Sequence, residues 1–157
     1  MGSITPCLWF DTEGEEAASF YTSLFPNSRI LDVSRYGDAG PRPAGTVMTV
    51  GFELDGQEFL ALNGGPQFTF SEAISLQVFC DSQEEVDRYW QALSEGGEQG
   101  PCGWLKDRFG LSWQIVPRAL PELLGDPDRE KAQRVMAAML KMGKIDVEGL
   151  ERAAAAS

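Results

Sequence analysis

Residues 10–24 read FDTEGEEAASFYTSL, and residues 79–93 read FCDSQEEVDRYWQAL. In both, a short apolar strand ends at an Asp followed by Thr or Ser. Paired glutamates come next, then an apolar residue, two adjacent aromatics and a Leu. Glu15, Glu16, Phe20, Tyr21 and Leu24 map onto Glu84, Glu85, Tyr89, Trp90 and Leu93 at a constant offset of 69. In the strands before them the offset is 70, so Thr5, Cys7 and Trp9 correspond to Ser75, Gln77 and Phe79. The one-residue change lies in the turn before the helix. A repeat that holds across a strand, a cap and a helical stripe marks a duplicated unit.

Working outward, Ile4 to Phe10 reads as a strand with Thr5, Cys7 and Trp9 on one side and Leu8 and Phe10 on the other. Thr12 fits an N-cap, with Glu15 closing a capping box. Ala17, Phe20, Tyr21 and Leu24 form the apolar stripe of a helix that Pro26 and Asn27 stop. Strands follow at Ile30–Tyr36, Thr46–Leu54 and Glu58–Leu62. The loop GDAGPRPAG over 37–45 separates the first two, and Asp55-Gly56 signals a hairpin between the others. After Asn63-Gly64-Gly65-Pro66 the order begins again. Ala73–Cys80 is a strand, Ser82 and Glu85 form a second capping box, and Val86, Tyr89, Trp90 and Leu93 repeat the stripe. Gly96-Gly97 ends this helix. Residues 98–116 hold two or three short strands with a turn near 106–110. Beyond Pro117 the pattern turns helical: a short helix at Leu120–Leu124, a longer one after Asp126-Pro127-Asp128, and a last one past Gly143. The fold class is therefore α+β. Two tandem βαβββ modules, about 4–66 and about 73–117, and a helical tail, about 118–157, make up one domain over 1–157.

The charge balance is −11, from 24 acidic and 13 basic residues. So acidic a chain repels phosphate backbones and anionic lipid, so nucleic acid and membranes are not expected partners. No apolar run approaches the ~20 residues of a membrane span. The N-terminus lacks a basic start and an apolar core, so a cytoplasmic location is expected. Three cysteines, Cys7, Cys80 and Cys102, give neither a disulfide framework nor zinc spacing. Histidine is absent. Ser-His-Asp and Cys-His catalysis and His-ligated metal centres are thereby excluded. The glutamate pairs Glu15-Glu16 and Glu84-Glu85 tempt a dyad reading, but adjacent helical residues point ~100° apart and cannot share a proton. Glu53, Asp55, Glu58, Lys106, Asp107 and Arg108 read as solvated turn residues.

The tandem modules resemble the vicinal oxygen chelate superfamily, the glyoxalase/bleomycin-resistance/dioxygenase fold. The stretch ITPCLWFDTEGEEAASFYTSLFPNS looks more closely like the PhnB-like family, which carries the label 3-demethylubiquinone-9 3-methyltransferase. GTVMTVGFELDGQEFLALNGGP, EAISLQVFC and GWLKDRFGLSWQIVP agree with it. The resemblance implies two modules curving half-sheets around a central cavity, and a homodimer. The methyltransferase label itself finds no support: Gly64-Gly65-Pro66 leads to Phe68 and Phe70, not into the helix of a nucleoside-binding unit.

In metal-dependent members of the superfamily the sheets supply His and Glu to one divalent ion. The resemblance places those positions at Thr5, Asn63 (or Ala61), Ser75 and Gln114. Neutral amides and hydroxyls bind such an ion weakly, so no metal and no other cofactor is expected. The family often carries His at the position of Gln67, which is absent here. The inward faces implied by the resemblance offer Thr5, Cys7, Trp9, Thr49, Asn63, Gln77, Phe79 and Gln114, with Trp104 and Phe68 closing the mouth, and Gln67 in the loop after Pro66 is a further candidate ligand contact. Aromatic walls with a few neutral polar groups suit a small molecule. Gln77 and Gln114 could hold each other or a ligand. Cys7 would need a base to lower its pKa, and no His exists to supply one. Three functions follow as expectations: a metal-free small-molecule binder, a superfamily lyase, isomerase or dioxygenase that recruits a metal with substrate, and an interaction homodimer with a closed cavity.

Overall fold

The computed structural model describes residues 3–156 and divides into two compact units, Met1–Phe70 and Ser71–Ser157. The first contains β1 (Cys7–Phe10), α1 (Gly14–Leu24), β2 (Arg29–Arg35), β3 (Val47–Leu54) and β4 (Gln57–Asn63). Its sheet runs β1-β4-β3-β2, with β1 and β4 parallel and the rest antiparallel. The second contains β5 (Ser75–Cys80), α2 (Gln83–Ser94), β6 (Glu98–Gln99), β7 (Trp104–Lys106) and β8 (Ser112–Pro117), in the equivalent order β5-β8-β7-β6. The duplicated βαβββ pattern thus folds twice into the same topology. Three helices follow: α3 (Ala119–Leu124), α4 (Arg129–Met139) and α5 (Val147–Ala155). None of the described helices is long and apolar enough to cross a membrane.

Strand alternation sets the core of each unit. In the first, Leu8, Phe10, Val50, Phe52, Phe59 and Ala61 are buried. The rings of Phe52 and Phe59 stack at 5.5 Å, and Tyr21 of α1 reaches Phe52 at 6.3 Å. The buried stripe of α1 is Gly14, Ala17, Ala18 and Tyr21, while Phe20 and Leu24 are only half-buried. Small side chains bring this helix close to the sheet: a Cβ on Gly14 would stand 3.3 Å from that of Ala61. In the second unit the expected stripe holds as read, and Val86, Tyr89, Trp90 and Leu93 are all buried.

The two helix starts differ. Ser82 caps α2, its hydroxyl accepting from the Glu85 amide at 3.2 Å, while Glu85 accepts from the Asp81 amide at 3.0 Å. The box expected at Thr12 and Glu15 is not formed. The Thr12 hydroxyl donates to Glu13 at 3.4 Å, and the helix starts at Gly14. Its first amide donates instead to Asn63 Oδ1 at 2.7 Å, from the end of β4. Gly14 has no side chain to keep that amide group away, so a remote cap replaces the local one.

Other readings are trimmed or corrected. Pairing of β1 begins at Cys7 and of β5 at Ser75, which leaves Thr5 outside the ladder and exposed. The Asp55-Gly56 hairpin forms with both residues at positive φ, 47° and 85°, the backbone a tight primed turn requires. Asp107, read as solvated, is 2% exposed. Its carboxylate accepts from the amides of Phe109 (2.9 Å) and Leu111 (3.1 Å) and from Trp113 Nε1 (2.9 Å). The turn at 107–111 is built around that carboxylate.

The tail has its own core. Leu120, Val135, Ile145 and Leu150 pack with Val116 at the end of β8. Asp128 caps α4 through the amides of Glu130 and Lys131. The tail is pinned to its module by Gln83, which donates to the Ile145 carbonyl at 3.0 Å and accepts from the Val147 amide at 2.8 Å. The amides of Cys102 and Gly103 donate to the carbonyls of Met142 and Gly143 at 2.7 and 2.8 Å.

Candidate functional site

Each sheet has one face on its helix and one face turned away from it. On the first sheet the outer face carries Cys7 and Trp9 of β1, Leu60 and Leu62 of β4, and Thr49 of β3, as alternation and register dictate. Trp9 is held from three directions. Its Nε1 donates to the Gly65 carbonyl at 2.9 Å, and Phe68 meets its ring edge-on at 4.9 Å. Its indole also lies so close over Gly64 that a Cβ there would stand 2.4 Å from Cζ2. Thr49 shares a short hydroxyl contact with Ser34. Gln67 lies against Gly65 and is exposed. Cys7 is exposed, and desolvation by its neighbours raises its thiol above the ordinary range. Asn63, expected on this face, lies on the other. It caps α1, and its Nδ2 donates to the Val47 carbonyl at 3.2 Å.

On the second sheet Ser75 and Gln77 of β5 lie opposite Ser112 and Gln114 of β8, and Trp104 of β7 lies opposite Gln114. The two glutamines do hold each other: Gln77 Nε2 donates to Gln114 Oε1 at 3.3 Å, and Gln114 Nε2 donates to Ser75 Oγ at 2.8 Å. Phe79, further along the strand, is 44% exposed, with the Arg118 guanidinium 5.7 Å from its ring.

Beside this amide row a cavity of about 460 Å³ opens, lined by Glu72, Glu98, Pro101, Trp104, Lys106 and Ser112 among others. Of the expected residues, the structure places Trp104 here. Lys106 Nζ pairs with Glu72 Oε1 at 2.7 Å. That hydrogen bond holds the Glu72 carboxyl below its usual range and raises the Lys106 ammonium. Ser112 is fully buried, and its Oγ has no hydrogen-bond partner among the described residues. The sequence reading missed Glu72, Glu98, Lys106 and Ser112 as site residues. Ser112 shares strand parity with Gln114, which could have flagged it. The register that sets Lys106 beside it depends on the turn at Asp107.

The matched family model, described as 3-demethylubiquinone-9 3-methyltransferase, covers residues 2–116. The chain belongs to this family. PhnB of Bacillus cereus, a solved structure with the same description, is 39% identical to this PhnB-like chain. The match covers 74% of this chain and 99% of that one, with a TM-score of 0.66. A Pseudomonas aeruginosa protein is 24% identical over 74% of this chain and 98% of its own, at TM-score 0.62. The fosfomycin resistance protein FosX of Listeria monocytogenes, complexed with Mn(II) and sulfate, is 16% identical over 78% of this chain and 94% of its own, at TM-score 0.54. These two show the shared vicinal oxygen chelate fold. No curated protein matches.

A metal site of the superfamily type does not fit these residues. Thr5 stands outside its strand, Asn63 is turned to α1, and Ser75 and Gln114 are bonded to each other. Among the described residues no group of three or more His, Cys, Asp or Glu could hold an ion. Neutral oxygens leave the cost of stripping a divalent ion's water uncompensated.

Proposed function

We propose that this PhnB-like protein binds a small molecule in the cavity of its second module, through ring contact and hydrogen bonds and without a resident metal. One observation carries the reading: the buried, unpartnered hydroxyl of Ser112 at the wall of a 460 Å³ cavity. A buried polar group left without a partner costs about 1–3 kcal/mol, which a ligand recovers once it displaces the neighbours that cover Ser112 Oγ. The volume lies within the range of small-molecule sites, roughly 300–1,000 Å³. Trp104 supplies the aromatic wall and Lys106–Glu72 a polar rim. Gln77, Phe79 and Gln114 of the same module stay candidates for further contact with that molecule, and Cys7, Trp9, Thr49 and Gln67 stay candidates for ligand contact on the first module's own sheet. The protein is further proposed to be a homodimer, as the family resemblance implies, and to act in the cytoplasm.

The test is tryptophan fluorescence across a metabolite library, with Trp104→Phe as the control. Ligands that quench the wild type and not the variant, and that weaken with Ser112→Ala, support the reading. A library without such a ligand sinks it.

A further inference from the structure

The cavity has a charge pattern that selects among ligands. Glu98, Lys106 and Ser112 are register partners on β6, β7 and β8, so they form one row across the sheet. Neighbouring strands lie about 4.8 Å apart, which puts the ends of that row about 10 Å from each other. The middle of the row is satisfied, since the Lys106 ammonium is committed to Glu72 at 2.7 Å. The ends are not. Glu98 feels the Lys106 charge only at longer range and forms no ion pair among the described residues, and Ser112 Oγ is buried without a partner. Glu72 and Glu98 set two carboxylates against the single ammonium of Lys106, so the lining carries an excess of one negative charge. Trp104 stands on the same short strand as Lys106 and lines the same space.

We propose that the cavity selects elongated organic amines. The ligand's ammonium sits at Glu98 beside Trp104, and a hydroxyl or other hydrogen-bonding atom at its far end points toward Ser112 Oγ, whose strand lies about 10 Å from that of Glu98. A carboxylate ligand would have to take Lys106 from Glu72 and leave that carboxylate unpaired, raising the local negative charge. A cation neutralises the excess and gains the attraction of an indole ring for positive charge. This inference rests on the cavity being the ligand site proposed above.

Three phenols of nearly one shape separate the possibilities: tyramine, tyrosol and 3-(4-hydroxyphenyl)propanoate, which end in an ammonium, a hydroxyl and a carboxylate. Titration calorimetry on the whole protein at low salt is expected to show tyramine binding about tenfold tighter than tyrosol, with the propanoate weakest. Glu98→Gln, a change at an exposed position, is expected to abolish the advantage of tyramine over tyrosol. Ser112→Ala is expected to weaken both alike. Tyrosol or the propanoate binding as tightly as tyramine, or an advantage that survives Glu98→Gln, overturns the amine selectivity and leaves the cavity reading standing. Binding by none of the three overturns both.

Discussion

Asp107 holds three donors, two of them backbone amides of its own turn and the third the indole of Trp113. Asp107→Ala strands all three in a buried place. Hydrogen bonds to a charged group contribute about 1.5–3 kcal/mol each at most, so a loss of about 3 kcal/mol is expected in urea unfolding. A loss under about 1 kcal/mol would show that the turn does not depend on its carboxylate. Nothing local in KDRFG distinguishes a buried Asp from a solvated one. The distinction comes from Trp113, whose strand turns its indole back over the loop. Cys80, at the end of β5, is fully buried. Burial pushes its thiol from 9.0 up to about 11. The unfolded chain therefore releases that proton first. Stability from this group is whole below pH 9 and declines as pH rises toward about 11. Unfolding midpoints of the wild type should fall more steeply over that window than those of Cys80→Ala. Parallel slopes would refute the assignment.

The helices show how far local signals reach. The cap of α2 lies within three residues of the amide it satisfies, and its stripe matches the pattern of the sequence. The cap of α1 comes from Asn63, 49 positions away from Gly14, so the nearer Thr12 is misread as the cap and Asn63 is misread as a pocket residue. Asn63→Ala should cost about 1–2 kcal/mol and speed amide exchange at Gly14, while Thr12→Ala should change neither. An unaltered Gly14 exchange rate in Asn63→Ala would contradict the remote cap. Gly97 fixes the exit of α2 in a similar non-local way. A Cβ there would stand 2.0 Å from the Lys106 carbonyl, a backbone atom that cannot yield cheaply. Gly97→Ala should therefore shift β7 and weaken any ligand contact made through Trp104, with α2 helicity by circular dichroism intact.

At the scale of the molecule, the duplication is written in the sequence because both copies repeat one pattern of strand, capping residues and stripe, although only the second copy's local cap forms. The cavity is not, because it depends on which residues of β6, β7 and β8 stand opposite one another. The tail, outside the family match of 2–116, was legible as helices from its caps and periodicity. That it joins the second unit is set by Gln83 and by the 102–103 backbone. Two outcomes test the whole chain. Elemental analysis after purification without chelator should find far less than one divalent ion per chain, and added Mn(II) should leave the melting temperature unmoved. A stoichiometric ion would contradict the donor argument. Light scattering should give the mass of two chains, and the mass of one chain would refute the dimer.

The row Gln77–Gln114–Ser75 can run either way. If both amides turn over by half a rotation, Ser75 donates to Gln114 and Gln114 donates to Gln77, and both bonds of the present arrangement survive in mirror sense. The free end at Gln77 then changes from an offered oxygen to an offered N–H. A carboxylate–metal centre at these positions has a fixed polarity. This row is a two-way relay, able to answer a donor or an acceptor laid upon it without moving a strand.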